Sequence, residues 1–302
     1  MQDVLDMIGN TPLVRLWSVE DGGVQIYGKA EFLNPSGSVK DRAAKYMVLD
    51  GIRTGKLTKD KVILEATSGN TGVSLAMIGA NLGYHVTICM PANVSEEKKK
   101  LIRAYGGEVI ETNPLESMDG ACTQAKKFCA EHPDHCFYPD QYNNPQNARA
   151  HVETTSQEIW EQTEGRVTHF VAGTGTSGTF MGTAKGLKEK SLSIRTVLVQ
   201  PDSPFHGLEG LTDMDSAIQP GIFDRRLADA EVRVSTEDAY DMAHFLARQE
   251  GLLVGISAAA NVVASRKVAQ QAAAGSCIVT VLCDSGSRYL SEPLWKDETA
   301  GG

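Results

Sequence analysis

Val62-Ile63-Leu64-Glu65-Ala66 runs directly into Thr67-Ser68-Gly69-Asn70-Thr71-Gly72 and then into the apolar stretch from Val73 to Leu82. That order decides the fold. A short, β-branched apolar run reads as a strand buried on both faces, the glycine loop as its exit, and the longer apolar run as a helix returning over the sheet. The rhythm repeats outward. His85 to Met90 reads as a strand, Glu96 to Tyr105 as an amphipathic helix, Glu108 to Glu111 as a strand, and Gly120 to Ala130 as a helix. After a loop around Asp140 to Gln146, a helix from about Asn147 to Thr163 leads to the strand Thr168 to Ala172. A second glycine loop and a helix precede the strand Arg195 to Gln200. Glu231 to Val234, helices Thr236 to Glu250 and Ala258 to Ala274, and the strand Cys277 to Cys283 complete the pattern. Such alternation predicts an α/β chain with mostly parallel twisted sheets flanked by helices. Its 302 residues suit two domains with a cleft between them.

Composition excludes several classes. Charged residues at 22% and hydrophobic ones at 41% are ordinary globular usage. With 29 basic and 38 acidic side chains the net charge is −9, and no basic stripe offsets it, so binding to a nucleic-acid backbone is not expected. Lys98-Lys99-Lys100, following Glu96-Glu97, reads as the solvated face of a helix. No apolar window reaches the length of a membrane span. Met1-Gln2-Asp3-Val4-Leu5-Asp6 has no basic n-region, so no secretory signal is expected. Six cysteines are scattered, with no Cys-x-x-Cys. Cys122, Cys129 and Cys136 lie near His132 and His135 without the short gaps of a zinc site, so the expectation is no metal and reduced thiols in a cytoplasmic protein. Cys89, Cys277 and Cys283 fall in apolar runs and read as small core residues. Gln200 to Phe223 reads as an irregular excursion, and the tail after Pro293 as polar and loose.

Three stretches carry chemistry. Thr67 to Gly72 and Ala172-Gly173-Thr174-Gly175-Thr176-Ser177-Gly178-Thr179 each leave a strand and open a helix, where free N–H groups and hydroxyls bind anions. The second contains Gly-x-Gly-x-x-Gly, which raises a nicotinamide oxidoreductase. A dinucleotide site, however, wants an acidic residue about 20 positions on. The next strand ends later, in Val199-Gln200-Pro201-Asp202, and the loop's hydroxyls better suit one terminal phosphate. The third stretch is Asn34-Pro35-Ser36-Gly37-Ser38-Val39-Lys40-Asp41-Arg42. There a lysine opens the helix Asp41 to Leu49, a placement that with burial favours a Schiff-base amine.

Together these motifs, with Ile8-Gly9-Asn10-Thr11-Pro12-Leu13, Gly255-Ile256-Ser257 and Arg288-Tyr289-Leu290, resemble the tryptophan-synthase-like (fold type II) pyridoxal-phosphate enzymes. Within them the similarity is to cysteine synthases, especially the B isozyme. The resemblance implies residues 1–12 and 35–145 as a substrate-loop domain, residues 13–34 and 146–302 as a cofactor-phosphate domain, and pyridoxal 5'-phosphate in the cleft between. By the same resemblance Lys40 binds the cofactor and moves the substrate's α-proton, and Gly175, Thr176, Ser177, Gly178 and Thr179 form the phosphate cup. Asn70 matches the partner of the ring hydroxyl and Ser257 the serine facing the ring nitrogen. Thr67, Ser68, Thr71 and Gln141 match the substrate-carboxylate site. The implied reaction converts O-acetyl-L-serine and sulfide (or thiosulfate) through an α-aminoacrylate to cysteine, with acetate leaving. A neutral serine at the ring nitrogen suits such elimination. The family also implies a homodimer, and it leaves association with a serine acetyltransferase open.

Two features depart from many relatives. Ala258-Ala259-Ala260 follows Ser257, which chiefly alters helix-start packing. Cys283-Asp284-Ser285-Gly286 is B-isozyme-like, and Asp284 is either an acid near the ring nitrogen that broadens nucleophile choice or a loop cap. Rival readings keep the cofactor and change the donor to O-phosphoserine, which would call on Arg225 or Arg226 as an extra cation, or to serine, as in cystathionine β-synthase. Serine or threonine dehydration and a non-catalytic synthase fold stand further off.

Overall fold

The computed structural model describes residues 3–295. Its strands and helices alternate: β1 (Leu13–Arg15), β2 (Gln25–Ala30), α1 (Lys40–Arg53), β3 (Val62–Ala66), α2 (Asn70–Leu82), β4 (Val86–Pro91), α3 (Glu96–Ala104), β5 (Glu108–Thr112), α4 (Ser117–Glu131) and β6 (Cys136–Phe137). There follow α5 (Pro145–Ala150), α6 (Ser156–Gln162), β7 (His169–Gly173), α7 (Gly178–Lys190), β8 (Arg195–Pro201), β9 (Ala230–Val234), α8 (Thr236–Phe245), α9 (Ile256–Ala269) and β10 (Cys277–Leu282). One sheet has the order β5-β4-β3-β6 and the other β1-β2-β10-β7-β8-β9. Every pairing is parallel except β1 with β2. The α/β class read from the sequence is the architecture found.

Both faces of each sheet are covered, which is why the strands read as unbroken apolar runs. Along β10, Ile278 and Leu282 join one core with α8 and α9, while Val279 and Val281 join another with α6 and α7. In the smaller sheet Ile63, Val86 and Ile88 pack under α1, α2 and α3, and Leu64, Ala66 and Cys89 pack under α4. The helix expected over 147–163 is one run in which a π turn, His151–Thr155, separates α5 from α6. Ala258, Ala259 and Ala260 are fully buried at the start of α9, a packing role as expected.

Three expectations change. Cys129 and Cys136 form a disulfide with a Cα–Cα distance of 5.2 Å, leaving Cys89, Cys122, Cys277 and Cys283 free. The reduced-thiol reading fails there because the turn after α4, closed by the His135 N–H on the His132 carbonyl, lays the start of β6 beside the last helical turn. Lys98 and Lys99 are buried, and of the three lysines only Lys100 faces solvent. The tail after Pro293 is placed as far as Trp295, where Leu294 is buried and Trp295 packs on the core; residues 296–302 lie outside the described part, as do residues 1–2 of the N-terminal stretch. Among the described residues no helix is long and apolar enough to cross a membrane.

Candidate active site

The carboxyl ends of β3, β7 and β10 point to one crevice, the place where open α/β sheets bind ligands. Lys40 opens α1 there. The Val39 N–H donates to the Cys283 carbonyl at 2.8 Å, and Ser38 bridges Asp284 across the same junction. Two residues into the helix, the Arg42 guanidinium grips Glu31 at 2.7 Å and Glu158 at 2.6 Å, tying α1 to the larger sheet. Burial would raise the Glu31 carboxyl, but Arg42 overrides it and holds it down at about 2. This ion cluster fixes where Lys40 starts.

The second glycine loop forms the floor. The Gly173 N–H at the end of β7 donates to Asn261 Oδ1 at 2.8 Å, and the chain turns through Ser177, whose φ of 73° is left-handed, into α7. A Cβ at Gly178 would overlap Asn147 Oδ1, and one at Gly175 would crowd the Gly210 carbonyl. Asn147 Nδ2 donates to Thr176 Oγ1 at 2.9 Å, and His151 Nε2 lies 3.3 Å from Thr179 Oγ1. Burial pushes the His151 imidazole down to about 3, so the ring is neutral. The buried hydroxyls of Thr174 and Ser177 have no hydrogen-bond partner among the described residues. Unpaired buried hydroxyls, a helix N-terminus and glycine-cleared backbone fit a phosphate.

Beside this floor lies a narrow pocket lined by Lys40, Asn70, Gly175 to Thr179, Ser257, Cys283 and Tyr289. It opens into a cleft of about 710 Å³, and Lys40, Asn70 and Thr176 line both. Thr67, Ser68, Thr71 and Gln141 all line the wider cleft. Thr71 Oγ1 donates to Gln141 Oε1 at 2.6 Å, Gln141 Nε2 to the Ala66 carbonyl at 3.3 Å, and the Gly69 N–H to Thr67 Oγ1 at 3.2 Å. Beneath them Glu65 accepts from the Gln141 N–H at 3.2 Å, and burial pushes its carboxyl up to about 8. The donor set, the lysine and the narrow pocket that opens into the wider cleft fit pyridoxal phosphate. Among the described residues no group of three or more His, Cys, Asp or Glu side chains is placed to hold a metal ion.

Several residues were not found by sequence. Asn147, His151 and Asn261 support the floor from neighbouring helices, with no local motif to mark them. Lys98 pairs with Glu209 across the cleft, its Nζ 4.6 Å over the Tyr289 ring. The solvated-face reading failed because only tertiary packing brings the 207–211 loop and Tyr289 against α3. Arg225 and Arg226 do not reach the cleft: they pair with Asp215, Glu231 and Asp224 at the surface. Cys283 packs against the core shared by β7, β10 and α7, as expected, and also lines the inner pocket, where burial pushes its thiol up to about 11. Asp284 Oδ2 accepts from Asn70 Nδ2 at 2.6 Å and from the Tyr289 hydroxyl at 2.5 Å, a side-chain clamp rather than a loop cap.

A family profile for pyridoxal-phosphate dependent enzymes matches residues 4–284. The cysteine synthase of Aquifex aeolicus is 47% identical over 305 aligned positions, covering 98% of this chain and 93% of that protein. Cysteine synthase B of Salmonella typhimurium is 39% identical, covering 99% and 97%. The solved cysteine synthase (OASS) of Entamoeba histolytica superposes with a TM-score of 0.92 at 36% identity, covering 99% of this chain and 92% of that one. With the lysine, the phosphate floor and the ring pocket on one crevice, and with likeness running the length of the chain, it belongs to the pyridoxal-phosphate dependent enzymes.

Proposed function

We propose that the chain is a cysteine synthase, replacing the acetoxy group of O-acetyl-L-serine with sulfide to release L-cysteine and acetate. The observation that carries this reading is Lys40, which lines both the inner pocket and the substrate-sized cleft. Bound pyridoxal phosphate supplies an electron-withdrawing ring that acidifies the substrate's Cα–H. The protein does the rest. The N-terminus of α7 with Gly175 to Thr179 would hold the phosphate, Asn70 would serve the ring oxygen, and the neutral Ser257 hydroxyl would serve the ring nitrogen. Thr67, Ser68, Thr71 and Gln141 orient the carboxylate, and Lys40 Nζ carries the α-proton.

The two sheets draw their strands from residues 35–145 and from residues 13–34 with 146–302, which supports the proposed domain division. Arg225 and Arg226 pair at the surface, so neither supplies the cation suggested for an O-phosphoserine donor. The homodimer that the family resemblance implies is part of the same proposal. Four of the six cysteines are free, which suits the proposed cytoplasmic setting, while the Cys129–Cys136 disulfide departs from it.

The test is Lys40→Ala. Wild-type protein should show a visible, borohydride-reducible band and turn over O-acetylserine with sulfide faster than O-phosphoserine or serine. The variant should lose both band and turnover. An unchanged band with normal turnover in Lys40→Ala overturns the assignment.

A further inference from the structure

Asn70 opens α2 and lines the pocket beside Lys40. An asparagine amide can present either its carbonyl or its N–H to a ligand, because rotation about χ2 exchanges the two ends. Here both ends are claimed. Asn70 Nδ2 donates one hydrogen to Asp284 Oδ2 at 2.6 Å, and Asn70 Oδ1 accepts from Arg288 Nη1. Flipping the amide would set its oxygen against a carboxylate and its N–H₂ against a guanidinium. Each clamp is itself held. Asp284 is 1% exposed, and its Oδ2 also accepts from the Tyr289 hydroxyl at 2.5 Å. Arg288, 5% exposed, also donates to the Ser36 carbonyl in the turn that delivers Lys40. One Asn70 N–H hydrogen is left over.

Resting on the cofactor site proposed above, we infer that Asp284 and Arg288 are positioning residues that lock the Asn70 amide so that it offers an N–H, not its carbonyl, to the ring oxygen of pyridoxal phosphate. An N–H donor stabilises that oxygen in its ionised form; a carbonyl would repel it. The arrangement also joins both sides of the crevice, because Asn70 belongs to the smaller sheet's α2 while Asp284 and Arg288 follow β10 of the larger one.

The experiment compares the cofactor-loaded wild type with Asp284→Ala, Asp284→Asn and the exchange Asn70→Asp with Asp284→Asn. The readouts are the ratio of visible to near-ultraviolet cofactor absorbance, retained pyridoxal phosphate and thermal unfolding. Asp284→Ala removes one of the two holds and leaves Arg288 on Asn70 Oδ1, so the ratio should fall by up to about tenfold, the size of one hydrogen bond. Asp284→Asn keeps an acceptor oxygen and should recover most of it. The exchange keeps charge and pairing, with residue 284 now donating, so it should unfold near the wild-type temperature. It should nevertheless show the low ratio, because a carboxylate at position 70 has no N–H to offer. Should Asp284→Ala fail to fold, the exchange variant carries the test. A wild-type ratio in Asp284→Ala, or in a folded exchange variant, overturns the inference even if unfolding temperatures shift. A wild type that takes up no pyridoxal phosphate overturns the functional reading, and this one with it.

Discussion

The two glycine loops look alike in sequence and do opposite things with their polar groups. Thr67 to Gly69 leaves β3 and Thr174 to Ser177 leaves β7, each ending at a helix N-terminus. The first bonds to other protein groups: the Gly69 N–H to Thr67, and Thr71, just beyond it, to Gln141. The second leaves the buried Thr174 and Ser177 hydroxyls unpaired, and its glycines abut Asn147 and the Gly210 backbone. Unpaired buried hydroxyls are costly unless a ligand takes them. On the proposed reading the β7 loop is a cradle that an anion would complete. On the proposed reading the β3 loop is a clamp that would exchange its bonds within the protein for substrate ones, and it opens on the wider cleft.

The largest expected effect breaks the comparison at its rigid side. Gly178→Ala drives a Cβ into Asn147, and dialysed protein should lose bound pyridoxal phosphate by about 100-fold in affinity, or roughly 2.7 kcal/mol. Gly69→Ala meets the buried Lys98 side chain at 2.7 Å and should disturb its pairing with Glu209, but it lies away from the cradle, so its visible band should survive. Full cofactor retention in Gly178→Ala would show that the cradle yields.

Thr71→Val probes the clamp. It removes the hydroxyl that donates to Gln141 and should raise KM for the amino-acid substrate about tenfold. The cofactor spectrum should stay put; a spectral change would mean the two loops are not separable.

The effect confined to stability, with no change in ligand binding, concerns the support under the clamp. Glu65 is held at about 8 when folded, against an ordinary value of about 4.3. A raised carboxyl contributes stability that is complete below the unfolded value and is lost as pH rises towards 8. Glu65→Gln cannot ionise, so its unfolding temperature relative to wild type should climb between pH 5 and about 8, then level. A pH-independent difference would place the Glu65 carboxyl near its ordinary range.

Strand and loop positions were legible because they depend on local order: a buried parallel strand must be apolar on both faces, and its exit loop needs glycine. Lys40, Asn70 and the Gly175 to Thr179 run were legible for the same reason, since each sits in a motif at a strand exit or helix start. Asn147, His151 and Asn261 were not, because they act from helices whose own sequence requirement is only to pack. Lys98 misled. Its neighbours Glu96 and Glu97 describe a solvated helix, and nothing local announces Glu209 or Tyr289 across the cleft.

By itself, then, the sequence determined the α/β class, the two glycine loops and the lysine that the crevice is built around, all set by short-range patterning. Tertiary structure alone decided what those loops face. It made one a cradle and the other a clamp, buried Lys98, paired Cys129 with Cys136, and set Asp284 and Arg288 on the Asn70 amide. Those outcomes depend on residues as far apart as Asn70 and Arg288, and a hydrogen bond forms only where folding brings donor and acceptor within about 3 Å.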